Sequence, residues 1–236
     1  GYSYVRTIYQ EIFEYLKQNG DLLKSLDDGN IRERVYERVI QNIAIAYINN
    51  FEKFAEEGSL ISELLVRNKN NELGQLIWFL WTLRNKGDEN LREKVFELWP
   101  RLLEQIDVSD KGGRKLASKL CQWAEFIDDI DEERMSWLLA IAPYAEEEHN
   151  AYRLFESLAE ISKKQPFKAH TIWMKILDAD VFDYPEDAFR KFFKNLLTKG
   201  PEGLRKAKEV VSVYIERGNE RPSIWLSEVR REVEGD

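Results

Sequence analysis

Residues 77–99, IWFLWTLRNKGDENLREKVFELW, crowd Trp78, Trp81 and Trp99 into one short span, which reads either as an aromatic binding platform or as dense core. The spacing decides for core. Leu73, Leu76, Ile77, Leu80 and Trp81 recur at intervals of three and four and form one stripe of a helix, while Trp78, Phe79 and Leu83 fill much of the remaining circumference. A helix apolar nearly all round is expected to be covered on more than one side. Gly87 is read as its stop, after a last turn carrying Arg84 and Lys86, and Asp88 as the N-cap of the next helix. That second helix is one-faced, with Leu91, Val95, Leu98, Trp99, Leu102, Leu103 and Ile106 on its stripe, so the two form an antiparallel hairpin. Pro100 is predicted to kink this helix and let it continue.

Working outward, the same unit returns. Leu116, Leu120, Trp123 and Ile127 give a helix that ends at DDIDEE, with Met135, Leu138, Leu139 and Ala142 as its partner. Ala151, Leu154, Phe155, Leu158 and Ile161 pair with Ala169, Ile172, Trp173, Ile176 and Leu177; Phe189, Phe192, Phe193, Leu196 and Leu197 pair with Leu204, Ala207, Val211, Tyr214 and Ile215. RPSIWLSEVRREV adds a closing half-unit. Leu80, Leu120, Leu158 and Leu196 stand 40, 38 and 38 residues apart. No segment alternates as a strand, and apart from Pro100 the prolines sit mostly at the edges of helical segments, so the fold class is all-α. Helix pairs at a period of about 38 residues are expected to stack as an α-solenoid, because each pair has an apolar face that only its neighbour can cover. Residues 59–236 form this array. Residues 1–58, with Val5, Ile8, Tyr9, Ile12, Phe13 and Leu16 on one helical face, do not keep the period and are read as an N-terminal cap or the tail of preceding units.

The 236 residues are 43% hydrophobic and 12% aromatic, enough to build a core, and their formal charge is −8. An acidic balance argues against a dedicated duplex-DNA binder, whose phosphate affinity comes from basic side chains. The single Cys121 excludes an intrachain disulfide and suits a reducing, cytoplasmic setting. The apolar run LIWFLWTL at 76–83 is too short to span a bilayer, so a soluble protein without membrane attachment is expected. The opening GYSYV lacks methionine, which favours a fragment of something larger.

Chemistry-bearing motifs are sparse. The acids of DDIDEE (Asp128, Asp129, Asp131, Glu132, Glu133) lack the glycine and distal glutamate of a calcium loop and are read as the favourable charges of a helix start. Between 128 and 148 eight acids face only Arg134, an edge suited to a basic partner. Between 190 and 208, Arg190, Lys191, Lys194, Lys199, Arg205, Lys206 and Lys208 face only Glu202 and are the candidate residues for contact with an acidic protein surface or nucleic acid. TKGPEG within this run is read as a turn, since it lacks the order of a phosphate loop. His149 and His170 stand alone, Cys121 lies beside a core stripe, and no nucleophile setting, metal-ligand spacing or cofactor loop is present. No cofactor or metal is expected.

Kinked helix pairs of this length resemble HEAT repeats more than tetratricopeptide repeats, whose period is about 34 residues. From about residue 70 onward, pairs such as AIAPYAEEEHNAYRLFESLAEI (140–161) and YPEDAFRKFFKNLLTKGPEGLRKAKEVVSVYIERG (184–218) resemble the HEAT-like C-terminal region of large bacterial signalling NTPases of the STAND type. This resemblance, over about two thirds of the chain, implies a sensor that binds a trigger protein, often from a phage, while other domains hold nucleotide and effector. No GxxxxGK[ST] occurs in this chain, so the implied role is a non-catalytic interaction module and carries no site residues. The alternative is an enzyme like the HEAT-like DNA alkylpurine glycosylases, which need a basic, aromatic-bearing groove for DNA.

Overall fold

The computed structural model describes residues 11, 29–48, 60–67, 70–84, 89–148, 150–179 and 185–235. These residues are mostly helical with no strand among them, so the all-α expectation holds. The chain divides into two compact units, Gly1–Gln105 and Ile106–Asp236.

In the first unit α1 (Gly29–Ile48) packs on α2 (Leu60–Arg67), α3 (Asn70–Thr82) and α4 (Glu89–Gln105), and α2 packs on α4. Leu73, Leu76, Ile77 and Leu80 of α3 and Leu91, Val95, Leu98, Trp99 and Leu102 of α4 are buried as their spacing predicts, against Ile43, Tyr47, Ile61 and Leu64, while Leu103 and Ile106 at the end of the α4 stripe are only partly buried. Two polar contacts fix the register: the Tyr47 hydroxyl donates to the Lys94 carbonyl at 3.1 Å, and Arg101 donates to the Ser62 hydroxyl at 2.7 Å. Burial and the nearby Glu97 carboxylate push the Tyr47 phenol well above its ordinary range. The helix runs on through Pro100. The expected α3–α4 hairpin does not form as a closely packed pair, because both helices lie on α1 and α2 instead. α3 is covered by both α1 and α2, yet Trp78 is 44% exposed and Phe79, Trp81 and Leu83 are only partly buried. Its four-residue stripe takes the packed side, and the Arg84 guanidinium lies over the Trp81 ring at 4.0 Å, shielding it with a cation. Gly87, Asp88 and the Val5–Leu16 stripe lie outside the described residues.

The second unit is built as two rows. Row one runs from α5 (Lys111–Leu120) with the 3-10 helix Cys121–Phe126, through α7 (Ala151–Ile161) and α9 (Glu186–Leu197), to α11 (Arg221–Glu234). Row two runs from α6 (Glu132–Ile141) with the 3-10 helix Ala142–Glu148, through α8 (Pro166–Leu177), to α10 (Gly200–Glu216). Helices two apart in the chain are thus neighbours within a row, and consecutive helices join the rows. Local signals set the ends. Asp110 caps α5 by accepting from the Gly112 and Gly113 amides, Asp131 caps α6 by accepting from the Arg134 amide at 2.8 Å, and Pro166, Pro201 and Pro222 open α8, α10 and α11. TKGPEG is the expected turn. Gly200 adopts φ 69°, and Gly203 lets α10 cross against α9, since a Cβ there would lie 1.8 Å from the Leu196 carbonyl oxygen.

The core of this unit is aromatic. Trp173 of α8 stacks on Phe192 of α9 (centroids 4.1 Å, 5° between planes) and lies 4.5 Å from Phe155 of α7. Phe189 of α9 meets Phe155, Trp173, Tyr214 of α10 and Trp225 of α11 at 5.8, 4.9, 5.3 and 5.4 Å. Amides tie the row-one joints. Asn195 donates to the Ser162 hydroxyl at 2.8 Å, and Gln122 donates to Asn150, which donates in turn to Ser118 at 3.2 Å. Three details depart from the sequence reading. The helix after Leu116 tightens to 3-10 geometry at Cys121, α6 buries Trp137 and Ile141 in preference to Met135 and Leu139, and α10 buries Val210 while Ile215 is 48% exposed. In α6 and α10 the partner elements choose which side of the apolar arc is covered.

Phe189→Ala removes a ring shared by four helices and is expected to cost about 3–5 kcal/mol, with Phe189→Leu costing less than half of that. Gly203→Ala forces α10 off α9 and is expected to cost roughly 1–3 kcal/mol. Urea denaturation followed by near-ultraviolet circular dichroism measures all three.

Candidate functional site

Row one carries an open groove of about 510 Å³ on the surface that crosses from the 3-10 helix over α7 to α9. Its floor is mostly apolar and short: Ala124, Ile127, Ser157, Ala159 and Ala188 are buried there, and the small residues among them leave the concavity unfilled. Its walls are charged. Glu125 and Asp128 come from the first segment, Glu156 and Glu160 from α7, and Asp187 and Lys191 from α9, so five carboxylates face one ammonium.

Resident cations neutralise part of this set. Lys191 reaches from α9 to Glu160 on α7, Lys163 holds the same carboxylate at 2.5 Å, and Arg153 lies 3.5 Å from Glu125. Hydrogen bonds from Lys163 and Lys191 hold the Glu160 carboxyl below its ordinary range. Glu156 and Asp187 are exposed and make no ion pair among the described residues. The lining can therefore hold a cation, guanidinium or ammonium, and repels a phosphate.

The seven bases singled out from the sequence do not converge on one face. Arg190 pairs with Glu186 at 2.7 Å and with Glu228 of α11; hydrogen bonds to both carboxylates strengthen its hold on the proton. Arg190 and Lys191 thus staple α9 to its two row-one neighbours. In row two, Arg205 pairs with Glu202 at 3.7 Å and with Glu209, and Lys206 pairs with Glu209 at 3.1 Å. Lys194, Lys199 and Lys208 are exposed and make no ion pair among the described residues. Residues adjacent in sequence are divided here because α9 and α10 belong to different rows.

The remaining candidates have structural surroundings. Asp131 of DDIDEE is the α6 cap, and Gln165 clamps the neighbouring Ile130 backbone, accepting from its amide at 2.6 Å and donating to its carbonyl at 3.1 Å. Arg114 partly offsets the 128–148 acids by pairing with Glu147 at 3.0 Å. Burial pushes the Cys121 thiol far up, which keeps it protonated and unreactive. His170 is buried between α8 and α10, and His149 lies outside the described residues. No cluster of His, Cys, Asp and Glu able to hold a metal occurs among the described residues, and none of their helices is long and apolar enough to cross a membrane.

Of the charged residues of the groove, the sequence analysis singled out only Asp128 and Lys191. Glu125, Glu156 and Asp187 were the missed signal: they stand at equal intervals in the chain, each on the polar side of a row-one element. No protein-family model, no curated protein and no solved structure matches this chain.

The Lys191–Glu160 pair is half-exposed, so a double-mutant cycle with Lys191→Met and Glu160→Gln is expected to return a coupling of less than about 1 kcal/mol. A larger coupling in urea denaturation would mark the pair as a structural strut.

Proposed function

We propose that this chain is a non-catalytic protein-interaction module, a HEAT-like α-solenoid that receives a basic segment of a partner protein in the row-one groove. The observation that carries the reading is the groove itself, a concavity whose carboxylates are contributed by three successive row-one elements over a floor of mostly small side chains. Successive helix pairs that cover one another's apolar faces are the basis of repeat recognition surfaces, and Leu120, Leu158 and Leu196, 38 residues apart, are all fully buried in row one. In the wider reading the module is the sensor of a larger cytoplasmic bacterial signalling protein of the STAND NTPase kind, acting in antiphage defence. That role rests on the pattern of the helix pairs. The glycosylase alternative requires attraction to phosphate, which the groove's carboxylates oppose.

The test is fluorescence anisotropy with an arginine-rich dodecapeptide and, separately, a DNA duplex. The double variant Glu156→Lys/Asp187→Lys is expected to weaken peptide binding at least about tenfold, since each exposed charge contributes on the order of 1 kcal/mol. The control Glu132→Lys/Glu133→Lys, with the same change in net charge away from the groove, is expected to alter it less than about twofold. Equal losses in both variants would reduce the effect to bulk charge and defeat the groove. Duplex binding that is lost on charge reversal of Lys194 and Lys208 would move recognition to the basic run, and tight duplex binding with base release would favour the enzyme.

A further inference from the structure

The contact between α8 and α10 holds a titratable group that the groove does not use. His170 of α8 is only 3% exposed, and its Nε2 lies 3.4 Å from Glu209 Oε2 of α10 without making a hydrogen bond. The carboxylate that could stabilise an imidazolium is already engaged by Arg205 and by Lys206. The charged groups acting on the imidazole are Lys206, Glu209 and Arg205, all on α10, and two of the three are cations. Protonation would therefore place a positive charge on a ring closed from water, beside two partly exposed cations that already share the one carboxylate within reach.

We propose that the α8–α10 joint is a proton-sensitive latch, closed while His170 is neutral and released when the imidazole takes up a proton. Opening lets the ring reach water and relieves its repulsion with Lys206 and Arg205. The latch lies in row two, so its release first slackens the contact of α10 with α8 around His170.

The direction follows from linkage. Burial first, then Lys206, lowers the His170 pKa from 6.5 in the open chain to about 4 in the closed joint. A group depressed in the closed state stabilises that state above its open value and loses this contribution as pH falls from 6.5 toward 4. With those two values the opening equilibrium rises roughly 20-fold between pH 7 and pH 5.

Hydrogen exchange read by mass spectrometry, with protection normalised to the intrinsic rate at each pH, tests this on the full chain. Amides of α8 and α10 are expected to lose about 20-fold protection between pH 7 and pH 5, ahead of those in α7. His170→Gln is expected to abolish the acid step whatever its basal stability, and Lys206→Met to shrink it by removing one of the repelling cations. An acid step that persists in His170→Gln, the absence of any step, or a loss shared equally by every helix of the unit would each overturn the latch.

Discussion

Phe189 is the side chain on which the second unit is centred. From α9, the third helix of row one, its ring meets aromatic rings of α7, α8, α10 and α11, so one residue is common to both rows. Edge-to-face pairs of this kind add about 0.5–1.5 kcal/mol each beyond the area they bury, and their geometry fixes the angles at which the helices approach. A helix placed wrongly by a few ångströms would lose several such pairs together. The rows are therefore coupled more tightly than a string of independent hairpins would be.

Charge has a different part. The pairs that cross between helices, Lys191 with Glu160, Arg190 with Glu228 and Arg114 with Glu147, are half-exposed and contribute little energy each. Their effect is on what the surface presents. By drawing bases against acids they leave Glu156 and Asp187 as the open carboxylates of the groove and Lys194, Lys199 and Lys208 as open cations elsewhere. A run that counts as strongly basic along the chain becomes, in three dimensions, a set of internal ties with three remaining charges.

Reading the sequence succeeded where one helix's own periodicity was the whole question. The stripes Leu154–Phe155–Leu158, Ile172–Trp173–Ile176 and Phe189–Phe192–Phe193 are buried as their spacing requires, because a helix presents every third or fourth residue to one side whatever that side meets. It failed where an apolar residue lay at the margin of a stripe. Trp78, Met135, Leu139 and Ile215 all fit an apolar arc, yet the width of the covered arc depends on how many neighbours the helix has. The groove was illegible for a related reason, since its acids come from three elements separated in the chain and no window of sequence brings them together.

By itself, then, the sequence determined that the described residues are mostly helical, that several helices open at a proline or an acidic cap, and which residues form the centre of most buried faces; these depend on interactions within a turn or two. Only the tertiary structure decided which helices share a row, which acid each base meets, where a floor of mostly small residues leaves a concavity, and that His170 is sealed beside two cations. Those outcomes depend on side chains distant in sequence being brought within a few ångströms, and that distance is set by the packing of the rows around Phe189.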